Sequence, residues 1–182
     1  MKRFGGDAVV SDGSDIRKAQ NGDVESMNRL FDRYYDAVYS YCYRHVKHRE
    51  IAQDLTQEVF LRVCRTLGDY RHYEKFENFL YVIARNLCKD HYKKRVVYSL
   101  DELEVPKTET GFARSEDQIV MERAIAGLPE LEQEIVYLRF YQDLKIKDIA
   151  KILDLGLSTT KYHLKKAQEQ LAYELAEGRN TK

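Results

Sequence analysis

The sequence predicts an all-α protein, two small helical domains joined by a flexible linker, and three observations carry the prediction. Apolar residues recur at spacings of three and four through most of the chain. Residues 96–115 lose that period, contain Pro106, Gly111, Thr108 and Thr110, and carry the acids Asp101, Glu102, Glu104 and Glu109. Finally, Asp154-Leu155-Gly156 separates two short periodic stretches, the arrangement of a helix-turn-helix.

Composition narrows the class. The 182 residues are 43% hydrophobic and 33% charged, which suits one domain or two small ones in a soluble protein. No stretch approaches the roughly 20 apolar residues that cross a bilayer, and the N-terminus has no signal-peptide core, so a cytoplasmic protein without membrane insertion is expected. Cys42, Cys64 and Cys88 lie far apart without metal-ligand spacing, so no metal, cofactor or disulfide framework is expected. The formal net charge of +0 conceals segregation. Residues 1–95 hold 18 Lys+Arg against 14 Asp+Glu, residues 96–117 hold 2 against 6, and residues 118–182 hold 10 against 10. A chain so balanced has little bulk affinity for phosphate, and any nucleic-acid contact must be local or assisted.

Residues 1–15, rich in Gly, Asp and Ser, are expected to form a mobile tail. Asp23 is placed to cap a helix running to about Val46, with Met27, Leu30, Phe31, Tyr34, Val38, Tyr41, Cys42 and His45 in one stripe, its tyrosines expected in the core. The next helix, 51–67, buries Ala52, Leu55, Val59 and Val63 and stops at Gly68. Its opposite face gathers Asp54, Gln57, Glu58, Leu61 and Arg62, one apolar residue among polar ones; a single exposed Leu needs no explanation by itself.

The loop DYRHYEK follows. Tyr70, Arg71, His72 and Tyr73 offer the stacking planes and cations that single-stranded nucleic acid requires. It leads into a third helix, Phe76 to about Lys94, whose outer side carries Arg85, Asn86, Lys89 and Lys93. Those cations also complement a helix C-terminus.

After the linker, Ile119, Ile125 and Leu128 precede Pro129, which opens a helix whose stripe is Leu131, Ile135, Leu138 and Phe140. Ile146, Ile149, Ala150 and Leu153 then line one face of a short helix. Ser158 is positioned to cap the next, which buries Leu164, Ala167 and Leu171. Its other face presents Thr159, Lys161, Tyr162, His163, Lys165 and Lys166, a set able to neutralise phosphates and reach base edges. A solvated hairpin in a helical bundle has the same pattern. The histidines, His45, His48, His72, His91 and His163, pair with no nucleophile in a catalytic motif, and neither an enzyme nor a small-molecule substrate is expected.

Five segments in order, NGDVESMNRLFDRYY, AQDLTQEVFLRV, FENFLYVIARNLCKDHYKK, AIAGLPELEQEIVYLRF and IKDIAKILDLGLSTTKYHLKKAQEQL, resemble an extracytoplasmic-function sigma factor of bacterial RNA polymerase over about residues 16–175. The resemblance implies a region 2 domain over 16–95, the linker 96–115, a region 4 domain over 116–177 and a short tail 178–182. It further implies that Asp54, Gln57, Glu58, Leu61 and Arg62 dock on the core polymerase. Tyr70, Arg71, His72, Tyr73, Arg85, Asn86, Lys89 and Lys93 would open and bind the minus-ten element. Thr159, Lys161, Tyr162, His163, Lys165 and Lys166 would read the minus-thirty-five element. RNA polymerase core, promoter DNA and an anti-sigma factor are the implied partners. The sequence departs from the family at Phe79, where Trp is usual, at Asp154, where Gly is common, at Thr160, where Val is frequent, and at His163 and Lys166, where Arg is more usual. The alternative is a self-sufficient helix-turn-helix repressor or activator that binds duplex DNA as a dimer.

Overall fold

The computed structural model describes residues 8–71, 75–98 and 116–180. The described residues form α-helices joined by short turns, grouped in two compact units, α1–α4 and α5–α8.

The first unit contains α1 (Ala8–Gln20), α2 (Val24–Val46), α3 (Arg49–Thr66), a single 3₁₀ turn (Leu67–Asp69) and α4 (Phe76–Tyr98). Asp23 caps α2 by accepting from the Ser26 backbone N–H at 3.1 Å. Gly22 precedes it at φ +90°, a left-handed conformation that only glycine adopts without strain. The predicted stripe of α2 is in the core: Leu30, Val38, Tyr41 and Cys42 are buried against Ala52, Val59 and Val63 of α3 and Leu80, Tyr81 and Ala84 of α4. Tyr41 meets Tyr81 edge-on at 5.3 Å between ring centroids. Leu80 is fully buried beside the half-exposed Phe79, so the Phe-Leu pair packs without an indole.

The expected tail over 1–15 is corrected for residues 8–15 by α1, which starts at Ala8 and packs along α2, while residues 1–7 lie outside the described residues. Among the described side chains of α1, Ile16 and Ala19 are the buried apolar ones, too few to reveal a period in the sequence. The helix is held instead by charge. Arg29 donates to Asp15 at 2.9 Å, Arg33 donates to Asp12 and, at 3.2 Å, to Asp15, and the Tyr34 hydroxyl donates to Asp12 at 2.5 Å. Burial alone would raise the Asp15 carboxyl, but the bonds and charges of Arg29 and Arg33 outweigh it and hold the group below its ordinary value. Burial and the Asp12 carboxylate push the Tyr34 phenol upward. At the other end of the unit, α4 continues to Tyr98, so the first three positions of the expected linker are helical. The rest of that linker lies outside the described residues.

The second unit contains α5 (Glu116–Ala126), α6 (Glu130–Val136), α7 (Ile146–Leu153) and α8 (Leu157–Asn180). Ile125, Leu128, Val136, Tyr137, Ala167 and Leu171 form one buried cluster. The end of α6 widens into a π-helical turn, Tyr137–Tyr141, in which Gln142 N–H donates to the Tyr137 carbonyl at 3.2 Å. The extra residue shifts the register: Tyr137 and Leu138 point inward, while Phe140, expected in the stripe, is 49% exposed.

Candidate polymerase and nucleic-acid interfaces

Three outward faces collect the residues singled out in the sequence. On α3, Ala52, Val59 and Val63 are wholly buried, which turns positions 54, 57, 58, 61 and 62 to the opposite side. Asp54 and Gln57 are exposed, Leu61 is 50% exposed, and Arg62 Nε donates to Glu58 Oε1 at 3.0 Å across one helical turn. The structure therefore brings all five together, with Leu61 as the apolar centre of a polar face.

Beside this face lies an aromatic ladder that sequence reasoning missed. Tyr35, Tyr39 and Tyr43, one turn apart on α2, stack at 6.5 and 6.1 Å, and Tyr35 stacks on Phe60 of α3 at 6.0 Å. Tyr34 and Tyr41 are buried as expected, whereas these three line the edge of the helix. Their i, i+4, i+8 spacing was the available signal.

The second face is divided. Arg71 is exposed, but Tyr70 is not an open stacking plane: its ring packs on Phe79 at 4.9 Å and on Phe76 at 5.7 Å. The loop aromatic is used to close the core behind it. His72 and Tyr73 lie outside the described residues. On α4, Asn86, Lys89 and Lys93 share one edge, with Arg85 beside Lys89 one turn back; Asn86 and Lys93 are exposed, Arg85 and Lys89 half-buried. A further contributor comes from α1. The Gln20 side-chain amide donates to the carbonyls of Leu67 at 2.9 Å and Tyr70 at 2.8 Å, fixing the chain where the loop begins. No sequence signal marks it, because the partners are about fifty positions away.

The third face belongs to α7, its turn and α8. Asp154 takes the left-handed position itself, at φ 55°, and its N–H donates into the last turn of α7 while Leu155 N–H donates to the Ala150 carbonyl at 2.8 Å. Aspartate tolerates that conformation better than most residues, so the turn closes without a glycine. The expected Ser158 cap is corrected: α8 starts at Leu157, which puts Ser158 inside the first turn. Thr160 is completely buried, its hydroxyl donating to the Gly156 carbonyl at 3.1 Å, so the hydroxyl in the place of a Val methyl is satisfied.

Leu164, Ala167 and Leu171 face the core, and Thr159, Lys161, Tyr162, Lys165 and Lys166 are exposed. His163 differs from the other predicted readers. Its Nδ1 lies 2.9 Å from Oε1 of Glu132, a residue of α6 that is 3% exposed, and the Lys166 ammonium lies 3.6 Å from the same oxygen. Lys165 pairs with Glu169 at 3.6 Å. Burial alone would raise the Glu132 carboxyl, but the hydrogen bond from His163, the backbone at Glu132 and the charges of His163 and Lys166 outweigh it and hold the group below its ordinary value. Glu132 was not singled out in the sequence, since its partner stands 31 positions away.

Two helical modules, the second ending in a helix-turn-helix with a basic outer face, have the architecture of a DNA-binding transcription factor. Residues 30–96 match sigma-70 region 2 and residues 118–171 match sigma-70 region 4. The ECF RNA polymerase sigma factor BldN of Streptomyces coelicolor is 35% identical over 147 residues, covering 76% of this chain and 56% of that protein. SigW of Bacillus subtilis, also an ECF RNA polymerase sigma factor, is 29% identical over 177 residues, covering 88% of this chain and 94% of that protein. Among solved structures, the sigma factor RpoE in complex with the anti-sigma factor NepR from Bartonella quintana superposes with a TM-score of 0.72 at 17% identity, over 84% of this chain and 98% of that one, a likeness of fold. The chain belongs to the extracytoplasmic-function class of sigma-70 factors.

Proposed function

We propose that this chain is a promoter-specificity subunit that docks on core RNA polymerase through Asp54, Gln57, Glu58, Leu61 and Arg62. Arg71, Arg85, Asn86, Lys89 and Lys93 then meet the minus-ten strand, and Thr159, Lys161, Tyr162, His163 and Lys165 meet the minus-thirty-five duplex, with Lys166 on the same face. The observation that carries this is the occurrence of both sigma regions, in order, within one chain. The polymerase makes the phosphodiester bonds, so the chain needs no catalytic group of its own. Its work is in the cytoplasm, and an anti-sigma factor is its proposed regulator, as one accompanies the fold neighbour from Bartonella quintana. No helix among the described residues is long and apolar enough to cross a membrane.

A self-sufficient repressor is distinguished by affinity. With few unpaired cations on α8, the isolated chain is expected to bind an upstream element weakly and to gain affinity when polymerase holds both units on the promoter, since tethering makes the second contact intramolecular. A repressor binds alone at roughly 10⁻⁸ M or tighter in physiological salt. Transcription by core polymerase and this chain on a genomic promoter library tests the proposal. Selective initiation supports it, whereas tight, sequence-specific binding by the isolated chain as a dimer, without selective transcription, overturns it.

Asn86 gives a separate check on strand opening. Asn86→Ala removes an exposed amide from the α4 edge, so holoenzyme is expected to form closed complexes normally but to lose roughly 1–3 kcal/mol of open-complex stability, the scale of one good hydrogen-bonded base-edge contact. Permanganate reactivity of the minus-ten thymines reads the loss. Wild-type reactivity would remove Asn86 from the strand-binding set.

A further inference from the structure

The face that reads the upstream duplex is controlled from behind. Glu132 is 3% exposed and sits in the first turn of α6, yet its carboxylate receives two side chains from the recognition helix, His163 at 2.9 Å and Lys166 at 3.6 Å. A carboxylate so held is ionised and can only accept, which commits the proton of His163 to Nδ1. The ring nitrogen left to meet a base is Nε2. With the ring neutral that nitrogen accepts, matching cytosine N4 or adenine N6 in a major groove; with the ring protonated against Glu132 it donates, as an arginine at this position always does, to guanine or a phosphate. The same carboxylate engages Lys166, whereas the Lys165–Glu169 pair at 3.6 Å is solvent-exposed and leaves Lys165 available to a phosphate.

We propose that Glu132 is a specificity-positioning residue: from α6 it fixes the histidine tautomer that α8 offers to the upstream duplex and holds the Lys166 ammonium back from the phosphates. This rests on the promoter-reading role of α8 and deepens it. Tyr162, whose ring packs edge-on against His163 at 5.3 Å, completes the restraint on the imidazole plane. Recognition thus passes from the planar fork of donors that Arg supplies to a single oriented nitrogen. Glu132 touches no DNA in this arrangement and acts through His163 and Lys166.

The test uses full-length chain in holoenzyme with core polymerase, on upstream elements randomised one base pair at a time. Glu132→Ala is expected to lower discrimination roughly five- to tenfold at one base pair, the same pair that responds to His163→Ala, because one base-edge contact is lost. The double variant should lose no more than either alone. Glu132→Ala should also steepen the salt dependence of binding, with the log–log slope growing by about 0.9, as Lys166 is released to a phosphate. Glu132→Gln keeps an oxygen acceptor without charge, so it should retain the base preference and show the steeper slope. A merely structural residue would shift stability and leave the preferred sequence and the salt slope alone. In the wild-type chain, ¹⁵N spectra of the imidazole nitrogens should show the proton on Nδ1, a reading that requires no variant to fold. A neutral Nε2–H tautomer, or a Glu132→Ala preference profile that superimposes on wild type while His163→Ala alters it, overturns the role of Glu132 and leaves promoter reading intact. Wild-type holoenzyme that discriminates among no upstream elements defeats the proposed function itself.

Discussion

The double variant Asp54→Ala, Leu61→Ala is expected to bind core polymerase at least thirtyfold more weakly than the wild-type chain, about 2 kcal/mol, while its helix content stays the same. The size follows from the setting of Leu61. A leucine left 50% exposed contributes little to the fold, so its truncation opens no cavity, and its apolar surface becomes valuable only when a partner removes it from water. The ring of Asp54, Gln57, Glu58 and Arg62 would then exclude solvent from that contact, the usual surroundings of an interface anchor. The Glu58–Arg62 pair holds two of those side chains in place one turn apart. A competition titration against wild-type chain measures the loss, and circular dichroism checks the fold. Undiminished binding by the folded double variant would remove α3 as the docking face.

The helices with a continuous apolar stripe were legible in the sequence because their partners are supplied by the stripe itself. In α2, Leu30, Val38, Tyr41 and Cys42 are buried where a period of 3.6 puts them, and in α8 Leu164, Ala167 and Leu171 are likewise. What escaped was specified at a distance. Among its described side chains α1 offers Ile16 and Ala19 to the core, and it is bound to α2 through Arg29, Arg33 and Tyr34, which no pattern in residues 8–20 announces. Phe140 was misplaced because a π-helical turn breaks the period on which the expectation rested. Tyr70 was given a plane for a nucleotide, yet the aromatic residues that claim that plane, Phe76 and Phe79, begin the next helix. His163 was assigned outward by the helical wheel, and a buried carboxylate on another helix turned one of its nitrogens inward. For α1 and His163 the deciding contact has a long sequence separation, and for Phe140 and Tyr70 it is a local departure from the helical period, so the composition of faces is readable and the orientation of individual side chains is not.

The clasp on α1 has consequences at the proposed strand-binding face. Arg33 joins the Asp12 and Asp15 carboxylates, with its side chain 21% exposed and each aspartate side chain 11% exposed. Arg33→Ala leaves both acids facing a half-empty site with only Arg29 and Tyr34 as partners, and is expected to cost the first unit roughly 2–3 kcal/mol, between the value of an exposed pair and that of breaking a fully buried one. Chemical denaturation measures it. The pH dependence has a defined sign: Asp15 titrates below its ordinary value in the folded chain, so the stability it contributes is present above the unfolded pKa and is lost as pH falls through the lower, folded one. Wild type should therefore lose its α1 contribution in that acidic window, and Arg33→Ala, having surrendered part of it already, should show a shallower acid decline. Detachment also reaches the loop, because Gln20 at the end of α1 holds the Leu67 and Tyr70 carbonyls. Arg33→Ala holoenzyme should thus melt promoters more slowly at a temperature where the first unit is still folded, with core binding unchanged because α3 is untouched. Gln20→Glu, which replaces the donating amide by a carboxylate facing two carbonyls, should reproduce the slow melting with a smaller loss of stability. Normal opening by both variants would confine α1 to a stabilising role and separate it from the chain's work on the single strand.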